Sequence, residues 1–116
     1  MHILAVDDSP IIRKLIKKAL EPEGFKISEA KNGKEAVELY PKLKPDLITM
    51  DVTMPVMDGI TAAKRIRRIN PNQKIIMLSA MGDKDLIAEA RACGITDFFS
   101  KPFKASEIIT KIRQIT

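Results

Sequence analysis

The sequence predicts an α/β protein: a doubly wound, five-stranded parallel sheet in one (βα)5 domain over residues 1–116. Short apolar runs rich in β-branched residues alternate five times with longer segments whose apolar residues recur at helical spacing. Proline, glycine and capping residues separate these segments, and no repeat or linker interrupts them. A chain of 116 residues buries roughly two thirds of its unfolded surface in a single core, so one domain is expected.

Five segments are predicted to be strands: residues 3–6, 25–30, 47–50, 75–78 and 97–99. The third and fourth are almost purely apolar, which is typical of parallel strands covered on both faces. The second alternates apolar and polar residues, as a strand at the edge of a sheet does. An edge position for the second strand, together with right-handed crossovers, favours the order 2-1-3-4-5. Helices 1 and 5 then cover one face, and helices 2, 3 and 4 the other.

The helices are predicted from their apolar stripes and from the residues that begin and end them. Ser9-Pro10 begins the first helix with a capping side chain and a proline at the first position, and Ile11 opens the apolar stripe of that helix. Pro41 and Pro45 are expected to end the second helix. Cys93 is expected to pack as a small core residue near the end of the fourth.

Composition narrows the classes of function. The net charge is +5, but the basic residues of helices 1 and 3 fall on opposite faces of the predicted sheet. The five aromatic residues leave little for base stacking, so no nucleic-acid partner is expected. The longest apolar runs, such as residues 75–78, are far shorter than the roughly 18–20 residues of a membrane span. The single cysteine excludes an internal disulfide and favours a cytoplasmic location.

Acidic residues follow two strands that are neighbours in the predicted sheet. Asp7 and Asp8 come after the first strand, and Asp51 comes after the third. In open parallel sheets, ligands bind beyond the carboxyl ends of the strands, where the winding direction reverses. Three carboxylates at one edge repel each other, and a hard divalent cation such as Mg²⁺ relieves that repulsion. A Mg²⁺ site is therefore expected, the alternative being that these aspartates cap helices or lie in solvated loops.

A hydroxyl and an ammonium group reach the same edge, because Ser79 follows the fourth strand and Lys101 follows the fifth. A carboxylate can attack phosphorus to form an aspartyl phosphate. Mg²⁺ and a lysine can neutralise the charge on the phosphoryl oxygens. A serine after a strand is by itself most often a turn residue, and a lysine before proline is most often on the surface. Their convergence with three aspartates predicts phosphoryl chemistry at this edge.

Over its whole length the chain resembles the receiver domains of two-component response regulators. The motifs are Asp7-Asp8 after an apolar strand, residues 50–55 with Asp58-Gly59 following, Ser79-Ala80, and residues 101–103. The resemblance implies a flavodoxin-like fold. The order 2-1-3-4-5 is itself known from a chemotaxis regulator of this family, so order and resemblance are not independent. Residues 49–55, 58–61 and 79–82 look most like single-domain chemotaxis regulators.

The resemblance implies that Asp51 accepts a phosphoryl group from a phosphohistidine of a sensor histidine kinase. Mg²⁺ would be bound by Asp8 directly, by Asp7 largely through water, by Asp51, and by the backbone carbonyl of Thr53. Lys101 would pair with the phosphoryl group. The chain would be a phosphoacceptor that promotes its own phosphorylation and slow dephosphorylation, and not an enzyme in the ordinary sense.

The resemblance also implies a conformational switch. Ser79 would reorient to bond a phosphoryl oxygen, and Phe98 occupies the aromatic switch position, where it lacks the hydroxyl of tyrosine. The output would be an altered surface of helix 4, strand 5 and helix 5 that binds a downstream protein target. Thr53 and Met81 flank the site without a carboxylate or amide to orient water, so self-dephosphorylation is expected to be slow. The peptide bond between Lys101 and Pro102 is expected to be cis.

Three alternatives remain open at this stage. A receiver domain from a longer regulator, such as a transcription factor, would carry the same motifs. An aspartate-nucleophile phosphohydrolase would have a second aspartate two residues after the nucleophile, where this chain has Thr53. A flavin binder would have a phosphate loop rich in Ser, Thr and Gly after the first strand, whereas Asp7-Asp8 would repel the flavin phosphate.

Overall fold

Five parallel strands and five α-helices alternate along the chain, in a computed structural model that describes all of residues 1–116. The strands are β1 His2–Val6, β2 Lys26–Ala30, β3 Leu47–Asp51, β4 Lys74–Ser79 and β5 Asp97–Ser100. The helices are α1 Pro10–Leu20, α2 Gly33–Leu43, α3 Gly59–Ile69, α4 Lys84–Ala92 and α5 Ala105–Ile115. The sheet order is 2-1-3-4-5, which confirms the predicted topology and the edge position of β2.

Helices cover both faces of the sheet, and an apolar cluster lies under each layer. One cluster, the α1/α5 face, joins β1, β3 and β4 to buried residues of α1 and α5, among them Ile16, Leu20, Ile108 and Ile112. The other, the α2/α3/α4 face, joins the same strands to Ala36, Ile66 and Ala90. Because both faces are covered, β1 and β3 are almost completely buried. None of the helices is both long enough and apolar enough to cross a membrane.

Alternation of side chains along each strand decides which residues share a face. In β3, Leu47 belongs to the α1/α5 face and Ile48 to the α2/α3/α4 face. The same alternation directs Asp51 to the α1/α5 face. In β4, Leu78 packs on the α1/α5 face, so Ser79 is directed to the α2/α3/α4 face. Residues that the sequence places at one edge of the sheet are thereby divided between two sides.

The structure differs from the sequence predictions at three places. Pro41 does not end α2 but lies inside it, and the helix ends only where Lys44 takes a left-handed φ of 44°. A proline removes a single helical hydrogen bond, which this last turn tolerates. Cys93 is exposed, because it follows the last residue of α4 instead of lying on its buried side. Ile11 is 78% exposed in the first turn of α1, whereas Ile16 one turn later is buried.

Candidate functional site

Lys101 bridges two carboxylates at the carboxyl end of the sheet. Its Nζ lies 2.7 Å from Asp7 Oδ2 and 3.1 Å from Asp51 Oδ1. Asp7 is completely buried and Asp51 is 7% exposed. The backbone N–H of Lys101 donates to the carbonyl oxygen of Ser79 at 2.7 Å, and the peptide bond to Pro102 is cis, as predicted. The turn after β5 is thus anchored against β4, with its lysine directed at the aspartates.

Asp8 completes a group of three carboxylates. One oxygen each from Asp7, Asp8 and Asp51 lies within 4.8 Å of the others, and Asp8 is the exposed member. Both oxygens of Asp7 already accept hydrogen bonds, Oδ1 from the backbone N–H of Ser9 at 2.9 Å and Oδ2 from Lys101. Asp8 and Asp51 therefore have more oxygen capacity left for a cation than Asp7 has.

The pocket carries more negative charge than its lysine neutralises. Burial is the main reason that the pKa of Asp51 rises from 3.8 to about 6, and the charge of Asp7 and a hydrogen bond with Asp8 add to the effect. Burial alone would lower the pKa of Lys101, but its contacts with Asp7 and Asp51 outweigh burial and raise that pKa. One ammonium faces three carboxylates, so this set of oxygen donors fits a hard divalent cation such as Mg²⁺.

The loop between β3 and α3 is held close to Asp51 by backbone contacts. The N–H of Gly59 donates to the carbonyl oxygen of Val52 at 2.9 Å. A Cβ at Gly59 would lie 1.9 Å from the carbonyl oxygen of Asp51, so only glycine allows α3 to begin this close to β3. Asp58 caps α3 by accepting a hydrogen bond from the backbone N–H of Thr61 at 2.9 Å.

Thr53 and Met81, which flank the site in the sequence, both lie at its exposed rim. Between Thr53 and α3, the N–H of Met57 donates to the carbonyl oxygen of Pro55 at 2.8 Å, and Val56 between them has a φ of 71°. This geometry is a γ-turn with positive φ, which is strained for a β-branched residue. The loop after Asp51 therefore combines backbone anchors with one strained position.

By strand alternation, Ser79 and Phe98 belong to the α2/α3/α4 side of the sheet, whereas Asp7 and Asp51 belong to the α1/α5 side. Beyond the strand ends, Ser79 lines one cavity together with Lys101. Ser79 is buried at the end of β4. Phe98 pairs with Met77, two residues before Ser79, and packs half-buried against the α2/α3/α4 cluster. The guanidinium carbon of Arg91 in α4 lies 4.7 Å from the centroid of the Phe98 ring, within the range of a cation–π interaction. The structure thus brings Ser79 and Phe98 to one face, with Ser79 beside Lys101 and Phe98 further from the acidic pocket.

The sequence motifs did not indicate Arg91, and they did not indicate Arg13 either. Arg13 donates from Nη1 to the carbonyl oxygen of Asp7 at 2.6 Å and from Nε to Glu29 at 3.1 Å. It therefore joins the loop after β1 to the edge strand β2. Its place one turn into α1, five residues after Asp8, is the only local signal, whereas an arginine in the last turn of α4 carries none.

Comparison with known proteins identifies the family to which the chain belongs. The sequence profile of the response regulator receiver domain matches residues 3–113, and the chain belongs to that family. The chemotaxis protein CheY of Thermotoga maritima is 44% identical over 116 residues, which cover 99% of this chain and 97% of that protein. The chain is a phosphoacceptor signalling switch of the chemotaxis-regulator type, and receiver domains bind Mg²⁺ at an acidic pocket of this kind.

Solved structures show the same fold in short and long chains. The crystal structure of the CheX-CheY-BeF3-Mg+2 complex from Borrelia burgdorferi matches with a TM-score of 0.91 at 33% identity, covering 99% of this chain and 88% of that chain. NtrX from Brucella abortus matches with a TM-score of 0.90 at 29% identity over 97% of this chain. The chain spans only 26% of NtrX, so the domain also occurs within longer proteins.

Proposed function

We propose that Asp51 is the phosphoacceptor of this switch and that a phosphohistidine of a sensor histidine kinase is the donor. The observation that carries the proposal is the bridging of Asp7 and Asp51 by Lys101 beside Asp8. Asp7 is fully buried with both oxygens hydrogen-bonded, and Asp8 has no contact with the lysine. Asp51 alone combines slight exposure with a lysine at 3.1 Å.

The proposed step exchanges one bond to phosphorus for another. An Asp51 oxygen forms the new P–O bond as the P–N bond of the donor breaks. The electron pair of that bond stays on the imidazole, which leaves as a neutral ring because its other nitrogen carries a proton. Attack needs ionised Asp51, and a pKa of about 6 leaves it mostly ionised at neutral pH. Lys101 stays protonated because its pKa is raised, and its charge attracts the phosphoryl oxygens.

The acidic pocket supports a defined set of metal ligands. Asp8 and Asp51 would bind Mg²⁺ directly, with the backbone carbonyl of Thr53, whereas Asp7 would act through water because its oxygens are engaged. When bound, Mg²⁺ supplies positive charge to the transferring phosphoryl group. The rim residues Thr53 and Met81 offer no carboxylate or amide to orient a hydrolytic water, which supports slow self-dephosphorylation. Thr53 also replaces the second aspartate that a phosphohydrolase of this type would use.

The switch would act through the side of the sheet that carries Ser79 and Phe98. A phosphoryl oxygen on Asp51 offers the Ser79 hydroxyl a charge-assisted hydrogen bond, and movement of Ser79 frees space for Phe98 to turn inward. The surface of α4, β5 and α5 would then bind a downstream protein target. The complex of the Borrelia burgdorferi CheY with CheX supports a protein target for this chain as well.

The chemical proposal is tested by labelling with a small acyl phosphate and Mg²⁺, followed by mass spectrometry. Wild type should gain one phosphoryl group of ~80 Da that hydroxylamine removes, as expected of a mixed anhydride. Asp51→Asn should not be labelled, and the matched surface variant Asp85→Asn should be labelled like wild type. Equal labelling of Asp51→Asn would overturn the assignment.

Signal transmission is tested separately with Ser79→Ala. This variant should still acquire phosphate at Asp51 but show much smaller NMR shift changes across α4, β5 and α5 than wild type. Undiminished changes would mean that the signal leaves the site by another route, such as Lys101 or the loop after β3.

A second candidate role is the receiver unit of a longer regulator, which the match to part of NtrX favours. The mass of the native gene product separates the two roles. A product near 13.0 kDa supports the chemotaxis-type regulator, and a much larger one supports the multidomain regulator.

A further inference from the structure

The hydroxyl of Thr49, in the middle of β3, is the one buried side-chain polar atom of the chain that has no hydrogen-bond partner. Thr49 is completely buried, and its neighbours along β3, Ile48 and Met50, are apolar. A buried hydroxyl without a partner destabilises the folded state, and valine would fill the same space without that cost. Apolar packing therefore does not explain why threonine occupies this position.

The register of the sheet places Thr49 directly beneath the acidic pocket. Thr49 pairs with Ala5 of β1 and with Ile76 of β4. On the same α1/α5 face, Asp51 lies two residues beyond Thr49 in β3. Asp7 lies two residues beyond Ala5, just after β1. Because the Lys101 ammonium bridges Asp7 and Asp51, it lies over the layer that contains Thr49 and Ala5. Ala5, the partner of Thr49 in β1, contributes only a methyl group to that layer.

The N–H donors of Lys101 and the spacing of residues along β3 indicate a hydrogen-bonded connection between Lys101 and Thr49. An ammonium has three N–H donors, and contacts with Asp7 and Asp51 use two of them. Thr49 and Asp51 are two residues apart in β3, which is a rise of about 6.6 Å. Two hydrogen bonds in series through one water span about 5.6 Å, so a single water can bridge a gap of this size. A water here would have Thr49, Lys101 and Asp51 as partners, within the two to four that a buried water needs.

We propose that Thr49 is a positioning residue of the phosphoryl-transfer site, whose hydroxyl accepts the third N–H of Lys101 through one buried water. The inference rests on the proposed roles of Asp51 and Lys101. Phosphorylation changes the charge and geometry of Asp51, one of the two partners of the ammonium. The connection to Thr49 stays constant through that change, and it holds the ammonium against the phosphoryl oxygens.

The test compares two substitutions of Thr49 with a matched control. Thr49→Val keeps the shape and removes the hydroxyl, and Thr49→Ser keeps the hydroxyl. Thr110→Val removes an exposed hydroxyl that donates to the Ser106 carbonyl within α5, away from the acidic pocket. Each protein is measured for its rate of labelling by acyl phosphate with Mg²⁺ and for its melting temperature.

Thr49→Val should melt at or above the wild-type temperature yet label about fivefold more slowly, the effect of one ordinary hydrogen bond. Thr49→Ser and Thr110→Val should label within about twofold of wild type. A purely structural role would change the melting temperature without this pattern of rates. Wild-type labelling of Thr49→Val would overturn the inference, as would a Thr49→Ser rate as slow as that of Thr49→Val.

A high-resolution crystal structure of the wild type provides a check that needs no variant. Density for a water within hydrogen-bond distance of Thr49 Oγ1 and Lys101 Nζ supports the inference, and its absence overturns it. The labelling experiments distinguish the assignment of Asp51 from the role of Thr49. Absence of labelling in the wild type would overturn the assignment of Asp51, whereas labelling that depends on Asp51 but not on Thr49 would overturn only the role of Thr49.

Discussion

Near the carboxyl end of the sheet, side chains are more completely buried on the α1/α5 side than on the α4 side. On the α1/α5 side, Asp7 and Asp51 are buried and Lys101 contacts both at 2.7 and 3.1 Å. On the α4 side, α4 buries only Ala90, and β5 is at best half-buried. There the half-buried ring of Phe98 packs against the α2/α3/α4 cluster and also contacts an exposed arginine, Arg91.

A rigid acidic pocket and a less buried surface at α4 and β5 meet two different requirements of a phosphorylation switch. Phosphoryl chemistry needs groups held in place, and buried ion pairs on fully buried strands provide that. A change of conformation needs a region that rearranges at small cost, and sparse burial provides that. The population shift can only equal the difference in interaction free energy between the two states, so a loosely packed output side allows a single phosphoryl group to move it.

The largest effect is expected from Gly59→Ala, which disturbs the close contact between the start of α3 and the end of β3. The added Cβ would lie 1.9 Å from the carbonyl oxygen of Asp51, so strand and helix must separate. We expect the free energy of unfolding to fall by about 3 kcal/mol or more, measured by urea denaturation. Gly82→Ala is the control, because nothing lies within 4 Å of its Cβ and only its φ of 97° opposes alanine. That variant should lose about 1–2 kcal/mol. Equal losses would mean that the contact at Gly59 does not matter.

Mg²⁺ should stabilise the acidic pocket by relieving the repulsion among three carboxylates. A concentration a hundredfold above Kd contributes about 2.7 kcal/mol if the unfolded chain binds none. The melting temperature should then rise by roughly 10 °C. Asp8→Ala should stabilise the metal-free protein and abolish most of this response, while Asp85→Ala should keep it. An unchanged wild-type melting temperature would show that the acidic pocket does not bind Mg²⁺.

The pH dependence of stability in EDTA should report Asp51. Its pKa is about 6 in the folded state against 3.8 in an open chain, so between these values the folded protein binds more protons than the unfolded one. Stability should therefore increase as the pH falls from 7 to 5, by roughly 1 kcal/mol, and Asp51→Asn should remove this increase. Asp58 has a lowered pKa, because its hydrogen bonds with Thr61 outweigh its burial, and it opposes the trend only at lower pH. A flat wild-type profile would contradict the raised pKa.

The smallest effect is expected from Arg91→Ala on the α4 side. A cation–π contact at an exposed site contributes about 0.5–1 kcal/mol, so global stability should change little. Without the guanidinium over its ring, Phe98 should turn inward more often before phosphorylation. This change is measured as NMR shifts in β5 toward those of the phosphorylated protein. Arg113→Ala, which removes a cation 5.8 Å from the Phe25 ring, should leave β5 unchanged. Identical β5 spectra for wild type and Arg91→Ala would remove Arg91 from the switch.

Local patterns in the sequence were enough to predict the strand order and the edge where the charged residues meet. Both depend on local information, because apolar runs, alternation and turn residues are visible within a few positions. The parallel topology then places the charged residues together at the strand ends: Asp7, Asp8, Asp51 and Lys101. The ion pair of Lys101 with Asp7, 94 positions apart, was not predicted, although the parallel topology brings both residues to that edge.

Which side chains are buried and which of them are in contact depends on how the helices and strands pack in three dimensions. Ile11 and Cys93 are apolar residues, yet they are exposed, because exposure depends on which element packs against that side of the helix. Pro41 stays within α2 because a lost hydrogen bond near a helix end is a small penalty against the packing of the whole helix. The contact of Arg91 with Phe98 and the proposed connection of Thr49 with Lys101 each join residues of different elements. Such contacts are set by distances in space, which the order of residues along the chain does not encode.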